Sequence, residues 1–167
     1  LPQDIAVIDD GTELSGTLVF SSPNYNHPTL DCTGRTLPLE LAHNSTIYRY
    51  GSYLLSSGIT ISGNSQQAFY GTGTMSVICA GNQLTYTAMS RSYSSPGTLQ
   101  AQDAFLCKSA LQIQRGTFDA NNYNITILQF STNSSNGVAR SIIMGSGLWT
   151  LTGTSSVWST SNTSGFV

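Results

Sequence analysis

The sequence predicts an all-β parallel solenoid, a chain wound into short strands that stack rung upon rung. Three observations carry that expectation. Helical periodicity is missing, short strand patterns occur throughout, and loosely similar segments return at intervals of roughly 20 to 30 residues.

No window sustains apolar residues at i, i+3, i+4 and i+7 with capping partners, and only residues 103–109 allow as much as a single helical turn. Strand patterns begin with Thr17-Leu-Val-Phe20 and Ile59-Thr-Ile61. They continue through Met75-Ser-Val-Ile-Cys79, Leu84-Thr-Tyr-Thr87 and Leu99-Gln-Ala101. Leu111-Gln-Ile113, Ile125-Thr-Ile-Leu128, Ser141-Ile-Ile-Met144, Leu148-Trp-Thr-Leu151 and Val157-Trp158 complete the series. Most alternate an apolar residue with Thr, Ser or Gln, the period of two that half-buries a sheet. Turn clusters such as Ser62-Gly-Asn64, Ala80-Gly-Asn82 and Gly145-Ser-Gly147 separate them, and Thr117-Phe-Asp-Ala-Asn-Asn122 also reads as a turn.

Many short strands also suit an antiparallel sandwich. Self-similarity favours the solenoid: Ser57-Gly-Ile-Thr-Ile-Ser-Gly63 returns loosely as Ser146-Gly-Leu-Trp-Thr-Leu-Thr-Gly153. The expected organisation is an N-terminal attachment or capping segment over residues 1–44 and a β-helix over 45–167. At about 4.8 Å per rung, the latter makes about five rungs and stands about 25 Å tall.

Composition fits the same picture. Only 8% of the 167 residues are charged, against about 25% in an average domain, while 25 Ser and 20 Thr supply polarity without charge. Like charges stacked one rung apart repel, and hydroxyls do not. The 39% hydrophobic and 10% aromatic content disfavours disorder. Six scattered Lys and Arg make no phosphate-binding footprint, so nucleic acid is not an expected partner. No apolar run approaches the ~20 residues of a membrane span, so no membrane partner is expected either.

Cys32, Cys79 and Cys107 are odd in number and widely spaced, and are expected as buried thiols rather than as a disulfide or zinc framework. The chain starts at Leu1 without a targeting segment and ends on Ser-Asn-Thr-Ser-Gly-Phe-Val. The expectation from these ends is a piece of a longer or processed polypeptide. Sequons at Asn44, Asn124, Asn133 and Asn162 arise readily by chance in a chain this rich in Ser and Thr.

Leu111-Gln-Ile-Gln-Arg-Gly-Thr-Phe-Asp-Ala-Asn-Asn-Tyr-Asn-Ile-Thr-Ile127, Gly145-Ser-Gly-Leu-Trp-Thr-Leu-Thr-Gly153 and Val157-Trp158 resemble repeat-rich proteins of tailed-bacteriophage virions. Pro28-Thr-Leu-Asp-Cys-Thr-Gly34 and Leu54-Leu-Ser-Ser-Gly-Ile-Thr-Ile-Ser-Gly63 extend the resemblance, which runs from about residue 12 onward on motifs of low complexity. It implies tailspike-like proteins: right-handed, usually trimeric parallel β-helices that serve as spikes, fibres or head-decorating cement proteins. A homotrimer in contact with other virion proteins such as the major capsid protein, on the capsid surface or the tail, follows from it.

Tailspikes often cleave glycans, which takes two suitably spaced carboxyls. Asp4, Asp9, Asp10 and Glu13 crowd the N-terminal segment, and Asp31 and Glu40 flank a turn. Only Asp103 and Asp119 fall in the rung region, and after Asp119 the sole charge is Arg140. His27 and His43 stand in isolation, without the spacing of a metal site or triad, and no Gly-x-Ser-x-Gly elbow or phosphate loop occurs. No catalytic, metal-binding or cofactor-binding residue is expected, and the chain is not expected to be an enzyme. The interface candidates are Tyr48, Tyr50, Tyr53, Phe69, Tyr70, Trp149 and Trp158, for which core filling and rung-to-rung stacking is the other reading. Host surface glycans are the alternative partner for such aromatics, and a bacterial adhesin of similar build is a third reading. The rungs around Trp149 and Trp158 carry no visible capping element, so a cover of some kind is expected there.

Overall fold

A computed structural model describes residues 5–7, 18–20, 26–27, 29–36, 39–41, 46–63, 66–89, 97–133, 138–161 and 163–167. Asp4, Asp9, Asp10, Glu13, His43, Asn44, Asn162 and most of residues 1–26 lie outside this set. Among the described residues every regular element is a strand, and every named strand pair is parallel. The fold is a parallel stacked-coil β-solenoid, which excludes the antiparallel sandwich.

With strands numbered in chain order, one sheet stacks β1 (Ile5–Val7), β4 (Thr29–Asp31), β7 (Tyr53–Leu54), β10 (Thr74–Ile78), β12 (Thr98–Ala101), β14 (Gly116–Asp119) and β16 (Arg140–Ile143). The second stacks β3 (Asn26–His27), β6 (Thr46–Arg49), β9 (Gln66–Phe69), β11 (Tyr86–Met89), β13 (Phe105–Ile113) and β15 (Ile125–Asn133). On β15 lie both β17 (Trp149–Leu151) and β18 (Trp158–Ser161). A shorter third sheet joins β2 (Leu18–Phe20), β5 (Leu39–Leu41) and β8 (Ile61–Gly63). Between β7 and β16 the chain passes round about four times.

Register makes the repeat visible. Tyr53 lies beside Leu30 and Val77, and Val77 lies beside Ala101. These four buried residues form one inward ladder of the first sheet. Met75, Leu99, Phe118 and Ile142 form the next. Across the interior, Phe105, Ile125 and Trp149 stack in the second sheet, as do Leu111, Phe130 and Trp158. The two sets meet edge to face, with Phe118 centred 5.3 Å from Phe105 and 6.0 Å from Trp149. Within the stack, each inward residue is covered from above and below by the same position of neighbouring coils, which is how strands of two to nine residues build a shared core.

Outside, the alternation places hydroxyls in rows: Thr74, Thr98, Thr117 and Ser141 align, and Thr117 and Ser141 share a 2.7 Å hydrogen bond. The Ser76 amide donates to Ser52 Oγ at 2.9 Å, and Gln102 Nε2 donates to Gln100 Oε1 at 2.7 Å. These bonds between and along coils put the hydroxyls of Ser and Thr and the amides of Gln to use.

Tertiary pairing overrides two local readings. Residues 103–109 do not make a helical turn: from Phe105 onward they belong to β13, which is paired on both sides by β11 and β15. A bulge between Cys107 and Ala110 leaves Lys108 exposed while Cys107, Ala110 and Leu111 stay buried. Likewise Thr117-Phe-Asp119 is strand, with Phe118 between Leu99 and Ile142; the turn starts only after Asp119. Gly97 shows how tightly coils approach at their corners: a Cβ there would press into the carbonyl oxygens of Gly71 and Gly73.

Candidate interaction surfaces

The seven aromatic candidates separate into interior, flank and C-terminal end. Tyr53 and Phe69 are fully buried. They are core residues and offer no surface to a partner. Strand alternation explains the sorting. Arg49 faces inward on β6, so its neighbours Tyr48 and Tyr50 emerge on the outside, and Phe69 facing inward sends Tyr70 out beside them. Tyr70 packs edge-on to Tyr48 at 5.0 Å and lies tilted against Tyr50 at 5.9 Å. Tyr50 is 44% exposed. Local spacing groups Tyr48 and Tyr50 with Tyr53, and Phe69 with Tyr70; the 20-residue offset between β6 and β9 instead joins Tyr48, Tyr50 and Tyr70 in one three-tyrosine cluster.

Beneath this cluster the interior is polar. The Arg49 guanidinium carbon lies 4.2 Å from the centre of the Tyr53 ring, and Nε donates to Gln67 Oε1 at 2.8 Å. Burial lowers the Arg49 pKa and raises that of Tyr53, in each case the larger effect beside the opposing influence of the other. Cys32 is pushed up to about 11 and Cys79 to about 12, again mainly by burial. All three cysteines are free and buried, and these shifts keep the thiols of Cys32 and Cys79 protonated near neutrality.

The two carboxylates of the rung region are occupied by the fold. Asp103 accepts the amides of Cys79 at 2.8 Å and Ala80 at 2.5 Å, bracing a corner of the preceding coil where Ala80 takes a φ of 49°. Asp119 accepts Gln100 Nε2 at 2.9 Å and the Asn121 amide at 2.8 Å. In the ladder Asp119 sits beside Gln100, not beside Asp103. His27 lies on β3, and no group of three His, Cys, Asp or Glu among the described residues could hold a metal ion.

At the C-terminal end, β16, β17 and β18 are the last strands of their stacks. Trp149 and Trp158 continue inward ladders. Trp158 nevertheless remains 42% exposed, packed on Phe130 with ring centres 4.3 Å apart. Ile143, Met144, Leu148 and Val167, on or next to the last strands, are exposed as well. Phe166 bridges to Arg140, with the Val167 amide donating to Arg140 O and the Ile142 amide to Val167 O, both at 3.0 Å. Arg140 holds this end from within. Its Nε donates to Thr132 Oγ1 at 2.6 Å, Nη1 to Val138 O at 3.2 Å and Ser164 O at 3.3 Å, and Nη2 to Ser161 O at 3.4 Å. In the sequence Arg140 stands only as an isolated charge; its role depends on the Thr132 hydroxyl of β15 and on the Ser161 and Ser164 carbonyls of the C-terminal segment, which the fold brings to it.

No family model matches the chain, and neither does any curated protein or solved structure.

Proposed function

We propose that this chain is a structural protein of a tailed-bacteriophage virion. In this reading it is a tailspike-like, right-handed β-helix of about five rungs over residues 45–167, assembled as a homotrimer. It decorates and stabilises the capsid as a cement protein or forms a spike, in contact with other virion proteins such as the major capsid protein. The observation that carries the non-catalytic part is the use of both rung-region carboxylates, Asp103 and Asp119, to brace turns and ladders. The sequence resemblance supplies the setting. The apolar residues left exposed at the C-terminal end supply a reason for assembly. Sedimentation equilibrium of the purified chain tests it: a trimeric mass is expected, and a well-folded monomer at micromolar concentration overturns the assembly.

The Tyr48, Tyr50 and Tyr70 cluster favours a second reading, a module that binds or cleaves host surface glycans, because exposed aromatic rings stack on sugar faces. Retention of the chain on immobilised host polysaccharide, lost in Tyr50→Ala with the thermal midpoint unchanged, would establish it. Absence of both retention and polymer shortening rejects it.

A further inference from the structure

We draw no further inference here: the strongest candidate, the apolar C-terminal end of the coil formed by Ile143, Leu148, Trp158 and Val167, is an unpartnered face, and nothing in the structure shows what covers it.

Discussion

Replacing Arg140 with methionine keeps a long apolar stem in the last coil and removes the donors that tie β15 and the C-terminal segment to it. The 2.6 Å bond from Nε to Thr132 Oγ1 is a short charge-assisted contact worth about 2 kcal/mol. The carbonyl bonds to Val138, Ser164 and Ser161, at 3.2 to 3.4 Å, are longer and add about 1 to 2 kcal/mol together. Relief from burying a guanidinium offsets part of this, leaving a net loss of about 3 kcal/mol, or about a 100-fold shift in the local opening equilibrium. Hydrogen exchange followed by mass spectrometry reads it directly. Amides whose bonds depend on the clamped end, Ile142 and Val167 among them, should exchange about 100-fold faster. Amides around Leu99 and Leu111, deep in the stack, should hold their protection, because coils contact only their neighbours. Arg140→Lys should recover only part of the protection, since one ammonium cannot span the fork of acceptors. Unchanged exchange over 158–167 in Arg140→Met would refute the clamp. A uniform loss along the chain would show instead that the coils unfold as one cooperative unit.

Three further outcomes follow from half-buried Asp103 and the buried thiols. Asp103→Ala leaves the Cys79 and Ala80 amides without their acceptor, and should lower stability by about 2 kcal/mol in denaturant titration; no shift of the midpoint would mean that the corner holds without it. Cys32 and Cys79 keep their protons in the folded chain to about 11 and about 12, against 9.0 for an ordinary thiol. The unfolded chain therefore loses these protons first, and the stability present below pH ~9 should decline as pH rises through the folded values. Consistent with this, a thiol reagent at pH 8 should modify neither side chain until denaturant is added; rapid labelling of the folded chain would contradict their burial.

The strands that read clearly in the sequence are those whose alternation coincides with a full inward ladder. Met75-Ser-Val77 and Leu99-Gln-Ala101 show it, with Ser76 and Gln100 turned out. Two-residue β7 and the Gln-rich β9 were illegible, because Tyr53 and Gln67 become interior residues only through the coils beside them. β14 was masked by Asp119, Asn121 and Asn122, which announce a turn so strongly that the preceding strand reads as part of it. The aromatic candidates divided by the same logic. Local spacing grouped Tyr53 with Tyr48 and Tyr50, but the intervening corner at residues 50–52 turns it into the core.

What the sequence determined by itself is the kind of fold. Two-residue alternation, turns every few residues and a surface of hydroxyls with 8% charge permit strands to stack at short spacing without repulsion. What only the tertiary structure decided is which residues share a level. Register offsets vary from coil to coil: Thr98 lies beside Thr74 on one side and Thr117 on the other. No local pattern encodes those unequal steps, since each depends on how a corner closes over the coil beneath. They nevertheless gather Tyr70 with Tyr48 and Tyr50, bring Asp103 to the corner at Cys79, and set Arg140 among the carbonyls of the chain's last segments.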